Sequence, residues 1–187
     1  MNKMICRICL SSLAMLASLS ASGQAPAAPA PPPGSPADEL PLNVAVEWAQ
    51  AAIAACKANG YNVTVTYMNN EYGIKLVMRS DGARSGTAEI GRRKVFTVIK
   101  SGMSTADFAK SVGIDPSLPP VPAAPGKAFG LPPGDNPDPN TTVLAGGLQI
   151  KVRDKVVGAI SVSGAPGGEK DVACAEAGLA KIANKLK

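Results

Sequence analysis

The chain has 187 residues, 45% of them hydrophobic and 18% charged, with 4 cysteines, no histidine and a formal net charge of +5. The absence of histidine removes Ser-His and Cys-His nucleophile pairs, the commonest general base and the usual transition-metal ligand. Its basic residues are spread along the chain without interleaved aromatics, which argues against a nucleic-acid partner.

Residues 1–23 have the layout of a secretory signal peptide. Lys3 and Arg7 precede an almost wholly apolar run from Ile8 to Leu19, and Ala21-Ser22-Gly23 supplies the small residues of a cleavage site. The run is about a dozen residues, whereas a bilayer span takes about 20. Cleavage after Gly23 leaves 187 − 23 = 164 residues with a charge of 17 − 14 = +3, and predicts a periplasmic or secreted protein. Residues 24–41 are rich in Pro and Ala and read as a linker. Residues 42–187 form one domain.

Asn43 to Asn59 reads as a helix with Ala45, Ala49, Ala52, Ile53 and Cys56 on one face, closed by Gly60. Val63, Val65 and Tyr67 then alternate with Thr64 and Thr66 at strand period. A turn at Asn69–Gly73 returns the chain along Ile74–Arg79, making a hairpin. Thr87 to Lys100 reads as a second helix with Ile90, Val95 (or Lys94) and Ile99 inward. Gly91 inside it signals close packing or a nearby ligand. Ser104 caps a short helix to Ser111, and Val112 to Thr142 is a proline-rich loop of a length that is usually functional or disordered. Leu144–Val152 and Val156–Ser163 make a second hairpin around Arg153-Asp154-Lys155. A last helix begins at Gly167 or Gly168, with Val172, Ala175, Leu179, Ile182 and Leu186 inward and Cys174 on the flank. Paired hairpins require an antiparallel sheet with helices on one face, an α+β domain.

After cleavage Cys56 and Cys174 remain. They form either a disulfide or a pair of small buried hydrophobes, and both readings need the first and last helices to touch. The Gly164–Gly168 turn lacks the spacing of a P-loop, and the hairpin before it excludes a dinucleotide fingerprint. An anion site at the helix start and a tight corner remain. Arg79, Asp81, Arg92, Arg93 and Lys94 form the densest charge cluster. It is either a solvated helix face or the holder of a carboxylate-bearing ligand, with Asp81 orienting an arginine. Nothing points to a catalytic set or a metal.

Several stretches together are similar to the GlcG/HbpS-like family of small haem-binding proteins. They are "ACKANGYNVTVT", "MRSDGARSGTAEIGRRK", "SGMSTADF" and "VVGAISVSGAPGGEKDVACAEAG", and the likeness runs in order over nearly all of Asn43–Leu186. The resemblance implies a profilin-like α+β fold with an antiparallel sheet of about five strands flanked by N-terminal, central and C-terminal helices. It also implies homo-oligomers, haem bound in some members, and haem scavenging or sensing beside a membrane sensor. Many relatives carry a His where this chain has Gly86. Haem iron then has Tyr67, Tyr72, Met68, Met78 and Met103 as candidates, with Tyr72, Met78 and Met103 preferred. On this reading the ligand-binding residues are Arg79, Asp81, Gly82, Thr87, Arg92, Lys94, Gly164, Gly167 and Gly168. The glycine corner is then a lip of a pocket shared with Arg79–Gly82 and Thr87, and Arg92 or Lys94 pairs with propionates. The alternatives are a small-carboxylate binding or sensing module without haem, and an enzyme of unknown reaction.

Overall fold

A computed structural model describes residues 39–116 and 138–187. The expected signal peptide, most of the linker and the centre of the proline-rich loop lie outside the described residues. The elements run α1 (Leu42–Ala58), β1 (Thr64–Asn69), β2 (Ile74–Arg79), α2 (Thr87–Ser101), α3 (Thr105–Ser111), β3 (Gly147–Val152), β4 (Lys155–Ser163) and α4 (Gly168–Ile182), with a final 3-10 turn at Ala183–Lys185. The domain is α+β. Its sheet has four antiparallel strands in the order β2-β1-β4-β3, against an expectation of about five. The chain joins the fold before α1: Leu40 is fully buried, and its N–H donates to the Tyr67 hydroxyl at 2.8 Å.

Local chemistry explains the ends of the elements. Gly60 takes the left-handed conformation, φ +79°. The N–H groups of Gly60 and Tyr61 return to the carbonyls of Lys57 and Cys56, which closes α1 in the double bond pattern of a Schellman cap. The Ser104 hydroxyl accepts the Asp107 N–H at the start of α3, as its position predicted. Arg153 and Asp154, at φ 49° and 66°, form the two-residue turn between β3 and β4.

Helices cover both faces of the sheet, where one covered face was expected. Val63, Val65 and Tyr67 face α1 and α4, with Ile150, Ile160 and Val162 in the same core. Thr64, Thr66 and Met68 point the other way and are also buried, because α2 lies across β1, β4 and β3. Threonine in a strand reads as the wet side; here it is the second interior. α2 approaches closely at Gly91, where an added Cβ would stand 2.7 Å from Thr66 Oγ1. Consequently Thr87, Gly91, Lys94, Val95, Thr97 and Val98 are its buried residues, while Ile90 and Ile99 are half-buried.

α1 and α4 pack together, as both cysteine readings required, and Cys56–Cys174 is a disulfide with 5.4 Å between Cα atoms. Trp48 is fully buried between them and donates from its indole nitrogen to Ala175 O at 3.2 Å. Gly178 lets the ring in, since a Cβ there would sit 2.8 Å from it. The inward face of α4 is therefore Asp171, Cys174, Ala175, Gly178 and Ile182. Val172, Leu179 and Leu186 are half-buried: the indole and the disulfide rotate the stripe away from the bulkiest residues. Among the described residues, no helix is long and apolar enough to cross a membrane.

Candidate functional site

At the start of α2 several of the sequence-derived residues meet. Thr87 is buried; its hydroxyl lies 2.7 Å from that of Thr64 and donates to Arg84 O at 2.6 Å. Arg79, opposite Thr64 on β2, donates from Nη1 to Ala83 O at 2.8 Å. That bond braces the turn in which Gly82 takes φ +80°. Added Cβ atoms at Gly82 and at Gly164 would stand 2.6 Å from the Asn62 side chain and 2.7 Å from Asn62 O. Asn62 thus joins the Arg79–Gly82 turn to the glycine corner. Sequence reading passed over it, although its place just before the first strand marks it as the residue both turns must meet.

The glycine corner divides. Gly164 faces Asn62, but Gly168 backs onto Ala145, and the Glu169 carboxylate folds over Gly167, 2.3 Å from where its Cβ would stand. The Asp171 carboxylate accepts the Ala165 N–H at 3.0 Å. The first turn of α4 is supplied with anions from its own side chains, so the corner is a tight turn pinned by Asp171.

Lys94 is 1% exposed, contrary to the expectation of a cation turned to a ligand. Its ammonium donates to Asp171 Oδ2 and to Val162 O, each at 2.7 Å. Burial pushes the Lys94 ammonium below the usual lysine range and the Asp171 carboxyl above the usual aspartate range, while their mutual attraction opposes both shifts. The pair ties α2 to the start of α4. Arg92 is also engaged: it grips both Glu89 oxygens at 2.8 Å and reaches Asn140 at 3.1 Å. With Arg93 bound to the same carboxylate, Glu89 is held down to about 2, chiefly by the Arg92 hydrogen bond. Asp81 is exposed and forms no ion pair with either arginine.

The three preferred iron ligands do not share a site. Met78 packs into the α1–α4 core, on the face away from α2. Met103 is exposed beyond the end of α2. Tyr72, in the left-handed conformation at φ 63°, is 45% exposed with its ring 5.0 Å from that of Phe96. Phe96 lies nine residues beyond Thr87, about 13 Å along the helix. Tyr67 and Met68 are core residues, and the Tyr67 hydroxyl also donates to Val157 O at 3.0 Å. Among the described residues both cysteines are in the disulfide, and no group of three metal-ligating residues occurs.

On the face that carries α2, the edge strand β2 presents exposed side chains. Val77 lies opposite Thr66 and so shares the face that carries α2. It is 45% exposed, and Ile74 on the same strand is 48% exposed. An apolar shelf therefore runs beside α2, with Tyr72 and Phe96 at one end and Arg79 at the other. Its donor set suits haem through one ligand type, the Tyr72 phenol, since tyrosine is an established axial ligand.

A four-stranded antiparallel sheet sandwiched by helices, with a glycine corner before the last helix, defines a class of small α+β folds. Comparison with known proteins places the chain within it. A family model described as haem degrading protein HbpS-like matches residues 40–180, and the chain belongs to the HbpS-like family. The crystal structure of HbpS is 30% identical, with a TM-score of 0.60, covering 76% of this chain and 89% of that one. A double mutant of HbpS from Streptomyces reticuli matches at the same identity and TM-score, covering 76% of this chain and 86% of its own. A complex of PduOC with haem shares the fold at 18% identity, with a TM-score of 0.61, covering 77% of this chain and 95% of that one. No curated protein sequence matches significantly.

Proposed function

We propose that this protein is an exported, self-associating binding protein for haem or a related tetrapyrrole, acting in haem scavenging or sensing. The observation that carries the reading is the shelf on β2, where the exposed phenol of Tyr72 stands against Phe96 beside Ile74 and Val77. Membership of the HbpS-like family and the fold shared with a haem complex support it. Tyr72 would hold the iron, Ile74 and Val77 would supply apolar contact, and Arg79 on the same strand would meet a carboxylate of the ligand. Bound haem would bring redox chemistry; the chain's own residues would bind and orient it. An edge strand with exposed large apolar side chains is also the surface a second copy would cover. Export, and work beside a membrane sensor, enter the proposal from the N-terminal pattern and the family resemblance.

A haem titration read in the Soret band tests it. The expected result is a saturable shift of defined stoichiometry, lost or strongly altered in Tyr72→Phe and retained in Met103→Leu. No saturable shift, or one indifferent to Tyr72→Phe, would overturn the haem reading. A smaller carboxylate is the second reading, favoured by the Thr64–Thr87 hydroxyl pair beside Arg79. A thermal-shift panel of small acids separates it, because a ligand at 100 times its dissociation constant stabilises by about 2.7 kcal/mol.

A further inference from the structure

The charge of the domain is unevenly placed. Lys151, Arg153, Lys155, Lys181, Lys185 and Lys187 lie in two stretches, 151–155 and 181–187, that hold one acid, Asp154: a net 6 − 1 = +5. The remainder of residues 24–187 has 17 − 6 = 11 basic and 14 − 1 = 13 acidic groups, a net −2. The fold brings the two stretches to one end. The Arg153 N–H donates to Leu186 O at 2.8 Å, and Val152 and Leu186 pack against the same core. All six basic residues are exposed. Lys185 pairs with Glu47 of α1, but Lys151, Arg153, Lys181 and Lys187 have no ion pair among the described residues.

Cations in the last turn of a helix complement its partial negative charge, which accounts for Lys181. It does not account for the hairpin, whose three basic residues belong to no helix. Two further features fall at this end. Leu42, in the first turn of the helix that Lys185 joins through Glu47, is 52% exposed. The preceding chain enters here too: Glu39 bonds Asn69 at the end of β1 and Lys75 on β2.

We propose that this end docks on a membrane surface bearing anionic phospholipid headgroups. Five of the six cations are lysines, compact charges suited to a diffuse anionic field rather than to planar bidentate recognition. Neither stretch contains an aromatic on which a nucleobase could stack. Leu42 provides the apolar contact an interfacial site adds to its charge. β1 runs from Asn69 at this end to Thr64 beside Thr87, six residues or about 20 Å. Docking would thus turn the Arg79–Thr87–Gly164 end away from the bilayer and the Tyr72 end of the shelf toward it.

The test is co-sedimentation of the purified exported protein, its N terminus read by mass spectrometry, with phosphatidylglycerol/phosphatidylcholine vesicles and with phosphatidylcholine alone. Binding is expected only to the anionic vesicles, weakening as salt rises. The variant Lys151→Gln/Arg153→Gln/Lys181→Gln/Lys187→Gln should lose affinity by about tenfold or more, with thermal unfolding and the haem titration unchanged. Absence of binding to the anionic vesicles would overturn the proposal. So would equal binding by the variant, or a preference for heparin or single-stranded DNA over vesicles of matched charge.

Discussion

The position of α2 over the sheet depends on a missing methyl group. Gly91 places the helix so close that Ser161 donates its hydroxyl to Gly91 O at 2.9 Å. Thr66 Oγ1 lies beneath, the one buried side-chain polar atom without a partner among the described residues. A glycine inside a helix costs about 1 kcal/mol relative to alanine, yet Gly91→Ala should destabilise this protein by about 1–3 kcal/mol, because the new Cβ meets a packed wall. Adding Thr66→Ala removes the opposing atom and should recover at least half of that loss in urea unfolding. A stable Gly91→Ala single variant would contradict the packing account. In the sequence this glycine reads as a sign of close packing or of a nearby ligand. Which one holds depends on Thr66 and Ser161, residues 25 and 70 positions away in the chain, and periodicity carries no information about them.

At the scale of elements, the Lys94–Asp171 pair is what holds α2, the end of β4 and the start of α4 in one arrangement. A buried ion pair adds little net stability over an apolar pair, but half of one is costly. Lys94→Met should therefore lower stability by about 3–5 kcal/mol by leaving the Asp171 carboxylate enclosed without its partner. Lys94→Met/Asp171→Leu should regain much of that loss, although the Ala165 N–H then lacks its acceptor. Thermal unfolding of the three proteins checks this; a double variant no better than the single would mean that Asp171 acts through the corner rather than through Lys94. The "RRK" run shows how three neighbouring cations part company on a helix. Residues two apart on a helix point to opposite sides, about 200° around the axis, so Lys94 turns into the protein while Arg92, with Arg93 beside it, binds Glu89. Sequence spacing indicated that they would diverge; only the packing of α4 decided which of them was enclosed.

For the whole molecule, the disulfide closes the longest loop. Cys56 and Cys174 are 118 residues apart in sequence and join the first helix to the last. Replacing both with Ala should cost about 3–5 kcal/mol, read as a lower denaturation midpoint, with a matching loss on reduction of the wild-type protein. Equal stability of the oxidised, reduced and double-Ala proteins would show that Trp48 and the helix packing suffice. The sequence by itself determined the order of helices and hairpins, the antiparallel sheet, the caps at Gly60 and Ser104, and the family, because periodicity, turn chemistry and motif order are properties of neighbouring residues. The tertiary structure alone decided that the threonine face of β1 is interior, that α4 turns Cys174 and Gly178 inward, and that Lys94 is enclosed. It alone scattered the methionine and tyrosine candidates over different faces and gathered six basic residues at one end. Each of those outcomes depends on which surface packs across the sheet or beside a helix, a contact between residues far apart in the chain that no local pattern records.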